Sequence, residues 1–139
     1  MSGLFDTHVT LLEKSLDFRA KRNALLAGNV ANLETPGYQA KDLVFETTLA
    51  NAMAARTPGP LQVTDPQHLD GRMATPLEMA QPQLIRSGNP VGSLDGNTVE
   101  LEKEMGKLAE NQVHYQALIQ MMSHKLLALK TAIREGGTQ

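Results

Sequence analysis

Apolar residues recur in alternating steps of four and three along the N-terminal part of the chain. The row consists of Phe5, Val9, Leu12, Leu16, Arg19, Asn23, Leu26, Val30 and Leu33. This spacing places side chains on one face of a helix, and a flanking row widens that face at Leu4, Leu11, Phe18 and Leu25. A face of this width suits a multi-helix bundle. We therefore predict a helix from about Ser2 to about Asn32.

A turn follows this helix. Proline disfavours helical geometry at the residue before it, so Thr35 should leave the helix, and Pro36-Gly37 is a favoured pair for the centre of a type II turn. Gly37 takes the position that needs a positive φ. The chain should therefore reverse direction at Pro36 and Gly37.

A second row with four-three spacing lies near the C-terminus. It consists of Leu101, Met105, Leu108, Gln112, Tyr115, Ile119, Met122, Leu126, Leu129 and Ile133. Before it, Asp95-Gly96 predicts a turn, and Asn97 and Glu100 have the spacing of a capping box. Glu100, Glu102 and Glu104 are interpreted as partners of the positive end of the helix dipole. A helix over about 97–135 is predicted.

The two predicted helices are similar in length, so they can lie side by side within one chain. A helix pair buries one stripe on each helix and leaves the rest of a wide apolar face in water. Two helices alone are therefore expected to be only marginally stable, and packing against neighbouring copies or other proteins would complete the burial. This pattern indicates an assembly subunit.

The residues between the two helices differ in character. The stretch 41–55 predicts a shorter helix with Asp42 as its cap and a weak apolar face at Leu43, Leu49, Ala50 and Met53. Residues 56–96 hold six of the seven prolines and no aromatic residue. We predict an extended or partly disordered segment that contributes nothing to a core, with one short strand over 61–64. The fold class is mainly α, divided into an N-terminal helix (1–34), a turn and short helix (35–55), the central segment (56–96) and a C-terminal helix (97–135).

Composition and charge exclude several classes of protein. The 139 residues include no cysteine and carry a net charge of −2, which excludes a disulfide scaffold and gives no basic excess for nucleic acid. The basic run Arg19, Lys21 and Arg22 is interpreted as a solvated helix face, although Arg19 stands on the apolar row, where it either sets helix register or extends to solvent. No apolar run is long enough to span a bilayer, and the first residues do not resemble a cleaved signal peptide.

Catalytic and metal-binding patterns are lacking in the sequence. His68 lies near Asp65 and Asp70, but a solvated turn explains these residues better than a metal site. His114 and His124 are too far apart along a helix to share a metal. We expect no enzymatic activity, no cofactor, no nucleic acid and no small-molecule substrate.

The run Gly28-Asn29-Val30-Ala31-Asn32-Leu33-Glu34-Thr35-Pro36-Gly37-Tyr38-Gln39-Ala40-Lys41-Asp42 carries a specific resemblance. It resembles the N-terminal signature of the rod and hook family of bacterial flagellar axial proteins, in which an Asn-x-x-Asn helix end leads into Thr-Pro-Gly-Tyr. The segments Asp95-Gly96-Asn97, Ala109-Glu110-Asn111-Gln112 and Tyr115-Gln116-Ala117-Leu118 are similar to the proximal-rod branch of that family.

The resemblance implies a structural subunit of the basal-body rod that sits in the periplasm above the MS ring, transmits torque, and is exported through the flagellar type III apparatus without a cleaved signal. Implied partners are further copies of itself, other rod proteins, the MS ring, the rod adaptor protein and the export gate. The alternative is a soluble helical adaptor or export chaperone of a secretion system, which would share the helices but form a stable cytoplasmic dimer.

Assembly contacts are expected from the two helices and from the turn between them. Asn29 and Asn32 either bind backbone groups at the helix end or contact a neighbour, and Tyr38 is expected at a subunit contact. The expected residues are Phe5, Val9, Leu12, Leu16, Asn29, Asn32, Thr35, Pro36, Gly37, Tyr38, Leu101, Met105, Leu108, Tyr115, Ile119, Met122, Leu126 and Leu129.

Overall fold

The computed structural model describes residues 2–54, 76–88 and 94–136, with residues 2–6 described as backbone only. The strand predicted over 61–64 and the histidine considered as a metal ligand, His68, lie outside the described residues, as do the side chains of Leu4 and Phe5.

Five elements follow one another in the order α1 (Ser2–Ala31), β1 (Lys41–Val44), α2 (Glu46–Ala54), β2 (Gln83–Arg86) and α3 (Leu101–Gly136). The long helices α1 and α3 have 30 and 36 residues. They run antiparallel, since Asn29 near the end of α1 contacts Glu104 near the start of α3, and the earlier residue Arg19 contacts the later residue Asn111. The predicted mainly α fold and its two long terminal helices are confirmed.

The predicted turn after α1 is present. The Tyr38 amide donates to the Thr35 carbonyl over 3.2 Å, and Gly37 has a φ of 71°. The hydrogen bond from the fourth residue to the first, with a positive φ at the third, is the pattern of a type II turn.

The start of α3 corrects the predicted cap. The Glu104 amide donates to the Glu100 carbonyl over 2.9 Å, so Glu100 is the capping position and the helix begins at Leu101. The interpretation of Asn97 as the cap is therefore wrong. The Asn97 side chain instead binds the carbonyls at the end of α1, because the turn before α3 packs against that end.

The prediction of a helix from residue 41 is wrong for its first part. Lys41–Val44 forms β1, which pairs antiparallel with β2 from Lys41 opposite Arg86 to Val44 opposite Gln83. Leu43 and Phe45 both enter the core, and their two-residue spacing is that of an extended chain. The helical part, α2, buries Leu49 but leaves Ala50 and Met53 exposed.

A small core lies where α1, β1 and α2 meet. It consists of Phe18, Leu43, Phe45, Leu49, Leu77 and Ala80. The Phe18 and Phe45 rings pack with centroids 5.6 Å apart, in the range of favourable aromatic pairs. The prediction that residues 56–96 contribute nothing to a core is wrong, because Leu77 and Ala80 are buried in the same cluster as Phe45 and Leu49.

Candidate assembly surface

Asn29 is fully buried at the end of α1 and connects three parts of the chain. Its amide nitrogen donates to the Lys41 carbonyl and to Glu104 Oε2, both over 2.7 Å. Its oxygen accepts from the Lys41 amide over 3.1 Å and from the Tyr38 hydroxyl over 3.3 Å. Both donors and both acceptor positions of the side chain are thus used, so Asn29 joins α1 to the turn, to β1 and to α3.

Charged groups surround this residue. Arg22 donates to both oxygens of Asp42, over 2.8 and 3.1 Å, and Lys107 lies 2.9 Å from Glu104 Oε1 and 3.5 Å from Asp42 Oδ2. Burial acts to raise the pKa of Asp42, but the hydrogen bonds from Arg22 and from the Leu43 amide, with the charges of Arg22 and Lys107, outweigh it and hold that pKa below its usual range. These alternating charges form a compact network between the helices.

Asn111 makes the next contact along α3. It is 1% exposed, and its amide nitrogen donates to the Arg19 carbonyl over 2.9 Å. The Arg19 guanidinium lies 3.2 Å from Glu46 and stacks 5.0 Å from the centre of the Phe45 ring. The interpretation of the basic run as a solvated face is therefore wrong for Arg19 and Arg22, which pair inside the chain, and holds for Lys21, which is exposed beside Asp17.

The turn after α1 packs against the turn before α3. The Gly37 amide donates to the Asp95 carbonyl over 2.9 Å, and the Thr98 amide donates to the Tyr38 carbonyl over 3.0 Å. The side-chain nitrogen of Asn97, Nδ2, lies 2.9, 2.7 and 2.9 Å from the backbone carbonyls of Asn32, Leu33 and Thr35. These contacts satisfy carbonyls that a helix end leaves free.

The expected assembly residues of α1 and its turn lie in different environments. Val9, Leu12 and Leu16 are half-buried on α1, as are Asn32 and Tyr38. The turn residues Thr35, Pro36 and Gly37 are exposed, whereas Asn29 is buried. The structure therefore brings the asparagines and Tyr38 together around the helix end.

The residues of α3 form three adjacent rows with seven-residue spacing. The inner row consists of Glu104, Asn111, Leu118 and Lys125; the first two are buried and bind α1, and the last two are half-buried. The middle row is half-buried and consists of Leu108, Tyr115, Met122 and Leu129. The outer row is exposed and consists of Met105, Gln112, Ile119, Leu126 and Ile133. The predicted apolar stripe combines the middle and outer rows. The stripe that α3 turns towards α1 combines the inner and middle rows instead, so the contact is shifted by one row from the prediction.

The outer row presents a regular apolar surface to solvent. Met105, Ile119, Leu126 and Ile133 are 52%, 43%, 54% and 74% exposed. Leu101, at the start of the helix, is exposed as well. A heptad row of large apolar side chains in water fits a second helix packed beside it.

The sequence did not single out the buried role of Glu104 and Asn111. Glu104 is 3% exposed and accepts from Asn29, so its interpretation as a dipole partner alone is wrong. One signal was available: Asn97, Glu104 and Asn111 are spaced by seven residues, and all three are buried polar residues that bind α1 or its end. A polar heptad row beside an apolar one indicates a second contact face.

Within the described ranges, no group of three or more His, Cys, Asp or Glu side chains is placed to hold a metal ion. No helix in the same ranges combines the length and the apolar character needed to cross a membrane.

Comparison with known proteins gives relatives over nearly the whole chain, although no family model matches it. The chain is 33% identical over 140 aligned positions to the flagellar basal body rod protein FlgB of Escherichia coli (strain K12), covering 98% of this chain and 99% of that protein. It is 32% identical to FlgB of Bacillus subtilis (strain 168), covering 96% and 98%. It is 35% identical to FlgB of Cereibacter sphaeroides, covering 87% and 89%. With this identity over almost the full length of both chains, the protein belongs to the FlgB family of flagellar basal body rod proteins.

Proposed function

We propose that this protein is a structural subunit of the flagellar basal-body rod, placed in its proximal part. The relatives, which are flagellar basal body rod proteins, support the rod assignment. The outer row of α3 supports assembly, because it presents large apolar side chains at helical spacing to solvent. This exposed row is the observation that carries the proposal.

The occupant of the outer row is a helix of a neighbouring rod subunit, either a second copy or another rod protein. A helix fits because the row repeats every seven residues and runs from Met105 to Ile133, a length of about 42 Å at the usual helical rise. The middle row, Val9, Leu12 and Leu16 add half-buried apolar surface along the helix pair. We assign Asn29, Asn32 and Tyr38 the task of holding the turn that sets the two helices side by side.

The position of the subunit in the rod, its role in torque transmission and its route of export are part of the same proposal. The subunit connects the MS ring and rod adaptor protein to the distal rod, transmits torque, and reaches the periplasm through the type III export gate without a cleaved signal peptide. An apolar row that stays exposed in the single chain, as the outer row of α3 does, suits a subunit that completes its packing only on assembly.

Fractionation separates this proposal from a cytoplasmic adaptor or export chaperone. A strain lacking the gene should be non-motile, and an epitope-tagged copy should restore motility and be recovered with purified basal bodies. Recovery of the tagged chain only as a soluble cytoplasmic dimer, with none in basal bodies, would favour the adaptor and overturn the rod assignment.

A further inference from the structure

The orientation of α3 against α1 is not the one that apolar burial alone favours. The inner row, which faces α1, has one large apolar side chain, Leu118. The outer row has four, at Met105, Ile119, Leu126 and Ile133. Burial of each such side chain contributes roughly 1.5–3 kcal/mol. Burial would therefore favour rotating α3 to bring the outer row towards α1.

The rotation needed for this exchange is small. Successive residues of a helix differ by about 100° around its axis, and the middle row lies between the other two rows. Turning α3 by roughly 50° replaces the inner row with the outer row while the middle row stays in contact with α1. The fold therefore has a nearby alternative that buries the outer row within the chain.

We propose that Glu104 and Asn111 fix the rotation of α3 so that the outer row stays in solvent. Both side chains are almost completely buried and both bind α1. A rolled helix would separate Glu104 from Asn29 and Lys107 from Asp42, and would move the Asn111 amide away from the Arg19 carbonyl. Buried polar groups that lose their partners are costly, and this cost opposes the gain in apolar burial.

Glu104 and Asn111 thus determine which row of α3 packs against α1. They keep an apolar surface available that the chain would otherwise bury against itself. This use of the surface rests on the proposed function, whereas the rotation itself is a property of the isolated chain. We expect the loss of the two anchors to give a helical chain that has covered its own assembly surface.

The absence of cysteine from the sequence makes the rotation directly measurable. A single cysteine is introduced in the purified full-length chain as Leu118→Cys on the inner row or as Ile119→Cys on the outer row, and the rate of maleimide labelling is measured for each. The neighbouring positions share the same local helix stability, so the ratio of the two rates reports which row faces α1. We expect the thiol at 119 to react at least about threefold faster than the thiol at 118.

The same pair is then measured with Glu104→Ala and Asn111→Ala together, and with the matched control Met105→Ala and Gln112→Ala, which has the same spacing one position later. The ratio should fall to one or below without the anchors and stay at or above its original value in the control. Circular dichroism checks that helix content is kept. If the anchor double variant unfolds, each anchor is replaced alone, and the ratio must still fall in both.

Two results would overturn the proposal. One is equal labelling at 118 and 119 in the chain with both anchors. The other is an unchanged ratio in a folded chain without them. Recovery of the chain in basal bodies tests the proposed function separately, because the labelling rates do not depend on the rod.

Discussion

Asn29 shows how a single polar side chain organises this fold. Its four hydrogen bonds reach the turn, β1 and α3, and none of it is exposed. Asn29→Ala leaves the Lys41 backbone and Glu104 without these partners, so we expect unfolding in urea to show a loss of about 2–4 kcal/mol. The matched change Asn32→Ala removes only contacts within the helix end and should cost less. An equal or smaller loss for Asn29→Ala would contradict the central role of this residue.

The lowered pKa of Asp42 means that the free energy of unfolding should decrease as the pH falls. Its pKa is held below the usual range in the folded chain, so the unfolded chain binds the proton more readily. The stability that Asp42 contributes is present above its unfolded pKa of about 4 and is lost as the pH falls through the folded pKa. Asp42→Asn should therefore flatten the fall in the free energy of unfolding between about pH 5 and pH 2.

Asp17→Asn is the control for that titration. Asp17 pairs with Lys21 in an exposed ion pair, which contributes little in water. Its variant should follow the pH curve of the unchanged chain. If the stability of Asp42→Asn depends on pH in the same way as that of the unchanged chain, the Asp42 carboxylate does not stabilise the fold.

For individual residues, the sequence pointed to the important side chains of the turn but not to the side chains that they bind. Asn29, Asn32 and Tyr38 stand in a recognisable motif, whereas Glu104 lies 75 residues away from Asn29. Contacts between distant positions depend on how the helices rotate and align, and the local pattern of polar residues carries little information on either.

Among the elements, the turn after α1 requires a left-handed backbone conformation at Gly37. Gly37 has a φ of 71°, and a Cβ placed there would meet no atom within 4 Å. Gly37→Val is therefore strained by its conformation and not by a clash, at a cost of about 1–2 kcal/mol. We expect loss of motility and of rod formation, because the turn holds the two helix ends together.

Gly28→Ala provides the matched control. Gly28 lies within α1, and a Cβ there also meets no atom within 4 Å. Alanine is the better helix former, so this variant should be more stable by about 0.5–1 kcal/mol and remain motile. Normal motility of Gly37→Val would contradict the importance of the turn.

The sequence predicted the helices more accurately than the strands. The ends of α1 and α3 are marked by local signals, such as Pro36-Gly37 and Asp95-Gly96, and the predictions agree with the structure within a few residues. β1 and β2 each have four residues and stabilise one another across some 40 positions of sequence. Neither is marked as a strand by its own residues, since pairing and the contact of β1 with α1 decide the conformation.

For the whole molecule, the apolar outer row should matter for assembly and not for folding. Ile119→Glu with Leu126→Glu places charges on side chains that are 43% and 54% exposed, so helix content should be nearly unchanged. Charge in a packed helix contact is costly, and we expect swimming in soft agar to be lost together with recovery in basal bodies.

His124→Glu with Ala128→Glu is the control, since both residues are exposed on another face of α3. Motility should be kept in this variant. If the outer-row variant swims normally while the control does not, the assembly face has been placed on the wrong side of the helix.

Only five of the 139 residues are aromatic, and the organisation of the whole molecule gives a structural reason for this. The core is small and is formed by α1, β1, α2 and the segment with Leu77 and Ala80, and much of the apolar surface of α3 faces outwards. The sequence indicated an assembly subunit because its apolar rows exceed what two helices bury. It did not predict which row stays free, because the inner row is chosen by buried hydrogen bonds.

A density map of the isolated basal body, with this chain placed in it, tests the proposed role in the rod most directly. We predict the chain in the proximal rod, with Met105, Ile119 and Leu126 packed against a helix of a neighbouring subunit and with Asn29 bonded to Glu104 of the same chain. A rod that lacks the chain, or a placement in which the outer row faces solvent, would contradict it.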